Sequence, residues 1–167
     1  MAYRYTSLAA RMQVKMNTER VKVLKVIGEQ VGQLVVESKL SLDALKIDRV
    51  EAELLEMTDY LFAGKVVKHG TVRAQIYYIN PDHALKCSSA DIPFMLAVDI
   101  PGLTPNRFTE TQNHVLDVTP DYAMLSQPER DNSRILELKV VAHILVIVSE
   151  WIQLDVVTRV DIFPRHN

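Results

Sequence analysis

The sequence predicts a mainly β protein, an antiparallel β-sandwich with an extended N-terminal arm. Three observations point there. Apolar residues recur at every second position in several segments, turn-forming residues separate those segments, and β-branched residues crowd into them. At 167 residues the chain is long enough for one domain with a sizeable core. Its 48% hydrophobic and 24% charged content is that of an ordinary globular protein.

Residues 1–20 show no steady period and read as an arm, with one exception. Met12, Val14 and Met16 alternate with Gln13, Lys15 and Asn17, a short strand pattern. A short helix is compatible with Ser41–Leu45. Val50, Ala52 and Leu54 alternate with Arg49, Glu51 and Glu53. Ile47, Val50, Leu54 and Met57 also fit helical spacing, as does part of Arg134–Ile152. Strands are favoured in both places because the alternation is longer and β-branched residues cluster there.

Gly64 and His69–Gly70 punctuate the middle, and Gly70 is expected to close a hairpin between Lys65–Lys68 and a strand from Thr71. In that strand Val72, Ala74, Ile76 and Tyr78 share one face. Asn80-Pro81-Asp82-His83 reads as a turn, as do Thr119-Pro120-Asp121 and Gln127-Pro128-Glu129. Ile92–Pro93 and Ile100–Pro101 bracket Phe94–Asp99. Each isoleucine is held extended by the proline after it, so one short strand is expected between two proline marks. Its Phe94, Leu96 and Val98 face the core, and Pro101-Gly102 makes the exit turn. The last segment puts Leu136, Leu138, Val140, Ala142, Ile144 and Val146 on one face, with Leu145 and Ile147 covered on the other. Short strands at roughly ten-residue spacing complete the sandwich.

The formal net charge of −2 gives no electrostatic drive toward nucleic acid. The charge is uneven. Residues 1–25 hold Arg4, Arg11, Lys15, Arg20, Lys22 and Lys25 against Glu19 alone, a net +5, which leaves −7 on the rest. A basic arm on an acidic body suits a neighbouring copy of that body or an anionic surface. The N-terminus lacks the apolar run of a secretory signal, so synthesis in a cytoplasm is expected. The longest apolar run, Ile144–Val148, falls far below the roughly 18 residues of a membrane span.

The order of these signals resembles the SPOCS domain family of spore-forming bacteria. The resemblance runs from Val21-Lys22-Val23-Leu24-Lys25-Val26-Ile27-Gly28-Glu29 through Val50–Met57, Gly64–Gly70 and Ala74–Ile79. Its most specific part is Ile92-Pro93-Phe94 followed by Val98-Asp99-Ile100-Pro101-Gly102, and Ile135–Val148 closes it. It implies an arm over 1–20, a SPOCS-like domain over 21–157 and a tail over 158–167. It further implies a structural role in building the spore envelope, through itself or through coat-morphogenesis proteins, in the mother-cell cytoplasm or at the spore surface. Some members of the family carry a peptidoglycan-binding LysM module after the domain. The ten residues from 158 to 167 have no room for one, so cell-wall binding by that route is not expected.

The residues give no catalytic, cofactor-binding or metal site. His69, His83, His114, His143 and His166 have no ligand spacing, and the lone Cys87 cannot complete a zinc site or an intrachain disulfide. His143, beside apolar neighbours, reads as a satisfied half-buried residue. Ser88-Ser89-Ala90 lacks the frame of a nucleophile elbow. Glu51, Glu53, Glu56 and Asp59 read as a solvated strand face. The expected contacts with a second copy or partner are Tyr3, Tyr5, Arg11, Met12, Val14 and Met16, because an extended arm can pair with an open sheet edge and, repeated head to tail, build filaments. The rival arrangement folds the arm back on its own sheet. A different function, binding a small ligand or glycan, would use Tyr77, Tyr78, Tyr122 and Trp151 as stacking surfaces.

Overall fold

The computed structural model describes residues 12–125 and 134–164. These residues form six strands in chain order: β1 (Met12–Leu42), β2 (Lys46–Phe62), β3 (Lys65–Ile79), β4 (Leu85–Asp99), β5 (Thr109–Leu125) and β6 (Arg134–Pro164). Two three-stranded sheets result, in the orders β1-β6-β5 and β2-β3-β4. The pairs β2–β3, β3–β4 and β5–β6 are antiparallel. β1 and β6 run antiparallel as well: Glu37 meets Lys139 and Lys39 meets Glu137. The expected β-sandwich is therefore borne out, built from fewer and longer strands, of 15 to 31 residues, than a ten-residue spacing suggests.

Close contacts divide the described residues into two units, Val26–Glu150, in which 126–133 are not described, and 12–25 with 151–164. The sandwich is the first of these. Its core follows the alternation of the central strands: Val66, Val72, Ala74 and Ile76 on β3, and Leu136 to Val148 at every second position on β6, all at most 2% exposed. Each valine, leucine or isoleucine among them contributes about 1.5–3 kcal/mol on burial. Facing them are Leu34 and Val36 of β1, Ile47 of β2, and Phe94 and Val98 of β4. Leu145 and Ile147 are half-buried, as expected. Glycine lets β1 approach β4 closely, because a Cβ on Gly32 would stand 2.6 Å from the Val98 side chain.

Several local expectations are corrected. Gly70 closes no hairpin; it lies in mid-strand on β3, paired with Phe94. Here a missing side chain matters more than a turn, since a Cβ would meet the Phe94 ring at 2.8 Å and the Leu55 carbonyl oxygen at 3.1 Å. The hairpin closes instead at Ala63-Gly64, with Gly64 at φ 76°. The loop after β4 clamps that turn, the Ile100 N–H donating to Gly64 O and the Gly64 N–H to Leu103 O, both at 2.8 Å. Gly70→Ala is expected to cost about 1–3 kcal/mol by overpacking against Phe94; a shift in the urea midpoint measures it.

Pro93 and Pro120 do not bound strands but sit inside β4 and β5. Both are edge strands of their sheets, where one row of N–H groups needs no partner and proline is tolerated. Thr119–Asp121 is accordingly strand, and the Gln127–Glu129 turn lies outside the described residues. Ser41–Leu45 forms no helix: β1 runs to Leu42, and the chain turns before Lys46. The Asn80–His83 turn stands as expected. The His83 N–H donates to Asn80 O at 3.0 Å, and the Asn80 side-chain oxygen accepts from the Ala84 N–H at 2.9 Å. Gly102, at φ 83°, supports the predicted exit turn.

Candidate functional site

The most unusual chemistry of the sandwich lies in its interior, where the sequence offered only a solvated face. β2 carries a bulge: Leu55 pairs with Thr71 but Thr58 with His69, so Glu56 and Met57 stand opposite the single residue Gly70. Glu56 takes the positive φ of 53° that the extra residue requires. Before the bulge the even-numbered Val50, Ala52 and Leu54 turn toward the core; after it the odd-numbered Met57, Asp59 and Leu61 do. Glu51, Glu53 and Glu56 are exposed, as expected, but Asp59 is not.

Asp59 is paired across the ladder with Lys68, whose side chain is 0% exposed. Lys68 Nζ donates to Asp59 Oδ1 at 2.6 Å and contacts Asn113 Oδ1. The other carboxylate oxygen, Oδ2, accepts from Asn113 Nδ2 at 2.6 Å and from Thr111 Oγ1 at 2.8 Å. Thr111 and Asn113 belong to β5, so the cluster links the two sheets. Burial works against both charges. For Asp59 it is outweighed by donation from Lys68, Asn113 and Thr111, which holds the carboxyl below its ordinary value. For Lys68 burial outweighs the pull of Asp59 and holds the amine below its ordinary value.

Lys68 and Asn113 escaped sequence reasoning. A signal existed for Lys68: the alternation of Ile76, Ala74 and Val72, continued backward through Gly70, places Lys68 and Val66 on the same inward face. Nothing local points to Asn113.

Of the expected contact residues, Tyr3, Tyr5 and Arg11 lie outside the described residues. Met12 opens β1, and Val14 and Met16 follow it at 51% and 62% exposure. They belong to the second unit, whose described residues are 12–25 and 151–164. Here β1 and β6 form a two-stranded ribbon, with Thr158 Oγ1 donating to Asn17 O at 3.3 Å and Arg20 paired to Asp155 at 3.0 Å. Lys22 Nζ stands 4.9 Å from the centre of the Trp151 ring. The β5–β6 pairing runs as far as Thr109 and Glu150, the last residue of β6 before the ribbon. All residues from 14 to 20 and from 153 to 160 are exposed, neighbours on opposite faces alike, and they include Leu154, Val156, Val157 and Val160.

Of the aromatic residues considered for ligand stacking, Tyr77, Tyr78 and Tyr122 form no common surface within the sandwich. Tyr77 and Tyr78 are neighbours on β3 and take opposite faces; Tyr77 lies under the Arg49 guanidinium at 4.1 Å. Tyr122 is on the other sheet, and Trp151 belongs to the other unit. Tyr60, Phe62, Val67 and Met95 do share a patch on the outer face of β2-β3-β4, with Met95 70% exposed and the Tyr60 ring edge-on to His69 at 5.3 Å. His143 is half-buried and satisfied, its Nδ1 2.7 Å from Asp117 Oδ1. Cys87 is an exposed residue of β4, opposite Tyr77. Among the described residues no group of three or more His, Cys, Asp or Glu could hold a metal ion, and no helix is long and apolar enough to cross a membrane.

Residues 43–122 match the family model described as SipL, SPOCS domain. The resemblance read from the sequence is thus borne out over β2, β3, β4 and most of β5, inside the wider span of 21–157. The matched segment contains all four members of the buried cluster. No curated protein and no solved structure matches the chain.

Proposed function

We propose that this chain, a SPOCS-domain protein over residues 43–122, is a non-enzymatic structural component of a spore envelope or similar surface assembly, and that it works by self-association through its two-stranded ribbon. The observation that carries the self-association is the exposure of both ribbon faces. An isolated pair of strands is marginally stable in water, and most ribbons of this kind gain a third strand or a covering face. Val14, Met16, Leu154, Val156, Val157 and Val160 give this one apolar surface to bury. The edge of β1 away from β6 adds a row of backbone donors and acceptors of the kind that pairs with another chain. We propose Tyr3, Tyr5 and Arg11, in the segment before it, as further contact residues.

Negative-stain electron microscopy and light scattering on the full chain test this. Regular particles much larger than one chain are expected at micromolar concentration. Val14→Asp with Met16→Asp, and separately deletion of residues 1–20, are expected to reduce them at least tenfold while the sandwich stays folded. Undiminished assembly in both variants would overturn the ribbon as the contact. A wild-type chain that remains a monomer would turn the reading toward an adaptor for coat-morphogenesis proteins.

A further inference from the structure

We infer that Lys68 and Asn113 become joined by an isopeptide bond that ties one sheet of the sandwich to the other, and that Asp59 is the catalytic residue of this self-directed reaction. The reactants are a primary amine and a carboxamide held in contact, with a carboxyl group touching both. Lys68 Nζ touches Asn113 Oδ1 and so stands beside Cγ, the carbon it would attack after a small rotation out of the amide plane. Asp59 bridges the nucleophile and the leaving group: Oδ1 is 2.6 Å from Lys68 Nζ, and Oδ2 is 2.6 Å from Asn113 Nδ2. The Thr111 hydroxyl, donating to Oδ2 at 2.8 Å, holds the carboxyl in that orientation.

The step balances without any co-reactant. Lys68 passes one ammonium proton to Asp59 and becomes a neutral amine. Nζ attacks Asn113 Cγ, the carbonyl electron pair moves onto Asn113 Oδ1, and Asp59, which also touches Nδ2, holds the proton it has received for the leaving group. As the tetrahedral centre collapses, the Cγ–Nδ2 bond breaks and Nδ2 takes protons from Nζ and from Asp59. It leaves as ammonium. The Nζ–Cγ amide has formed, Asp59 is a carboxylate again, and no electron has been gained or lost.

Three features of the site favour this. The Lys68 side chain is wholly enclosed, which keeps out the water that would compete for Cγ and hold the amine charged. Burial also holds the amine below its ordinary basicity, toward the nucleophilic form. Fixed juxtaposition supplies an effective concentration of about 10⁵–10⁸ M in well-oriented systems, which offsets the low reactivity of an amide. Stability alone gives little reason for the set, because apolar side chains of similar volume often hold such a position as well or better.

Intact-mass spectrometry of the purified full chain is the test. The expected mass is lower than that of the sequence by one ammonia. A tryptic digest should contain one branched peptide joining the segments around Lys68 and Asn113, with no cleavage after Lys68. Lys68→Arg, Asn113→Ala and Asp59→Asn should each show the full mass of their sequence. A folded wild-type chain at full mass would overturn the bond, and no variant is needed to see it. Loss of ammonia without the branched peptide, as in cyclisation of an asparagine, would overturn it equally. A branched peptide persisting in Asp59→Asn would overturn the role of Asp59.

Discussion

Asp59→Ala is expected to destabilise the sandwich by about 3–5 kcal/mol, the usual result of stranding a buried charge, in addition to the loss of the Lys68–Asn113 bond. Lys68 would keep its fully enclosed position on β3 but lose the carboxylate 2.6 Å away. Asn113 and Thr111 would lose their shared acceptor as well. The double change Lys68→Met with Asp59→Leu should cost less, since no charge is left behind. Its remaining deficit is the Asn113 amide and the Thr111 hydroxyl left without their acceptor, each at the low end of about 1–3 kcal/mol because both are only part-buried. Urea unfolding of both variants at neutral pH measures the difference. Equal losses would mean that lost hydrogen bonds, not the stranded charge, dominate.

The same pair sets an acid limit. Burial raises the Asp59 carboxyl, and donation from Lys68, Asn113 and Thr111 outweighs it; in Asn113→Ala, where Lys68 and Asp59 remain a simple ion pair, Lys68 and Thr111 are expected to keep it below its unfolded value of about 3.9. A depressed carboxyl contributes stability that is fully present above the unfolded value and is lost as pH falls through the folded one. The urea midpoint of that variant should therefore hold near neutrality and fall below about pH 4.

Ile144→Ala should cost about 2–5 kcal/mol. Ile144 is 0% exposed at the centre of β6, packed with Val66, Val98, Ile100 and Leu103. Ile162, on the same strand, is 60% exposed. Its replacement by alanine should change the stability of a dilute monomer by no more than about 0.5 kcal/mol. The ribbon reading adds a second readout: Ile162→Ala should weaken assembly where Ile144→Ala acts only through folding. Denaturation at a concentration below the onset of assembly separates the two.

The fold was legible because its strands obey one rule for long stretches. On β6 seven inward positions from Leu136 to Val148 keep strict alternation, and every one is buried. On β4 the exposed Pro93 and Met95 alternate with the buried Phe94 and Val98, as the sequence implies. Legibility failed where one residue breaks the count. The bulge at Glu56–Met57 reverses which side of β2 faces inward, and Asp59 passes from apparent solvent to the interior. Gly70 was misread because glycine has two uses, bending a chain and admitting a neighbour, and only the Phe94 ring above it decides between them. Asn113 was beyond reach for a third reason: its partners are 45 and 54 residues away, and no local pattern encodes such a meeting.

The hairpin at Ala63-Gly64 carries a consequence in time. Asp59 and Lys68 are only nine residues apart, and closing that turn sets them opposite each other. A hairpin closes in about 1–10 μs, so acid and amine are neighbours early in folding. The amide that they await sits 45 residues downstream of Lys68, on the other sheet, and arrives only when the sheets meet. Long-range pairing of this kind is the slow part of β folding, in milliseconds to seconds. The reactive pair is thus assembled first and supplied with its target last. A bond made in this order records that the sandwich has already closed, and it cannot fix a half-folded chain in place.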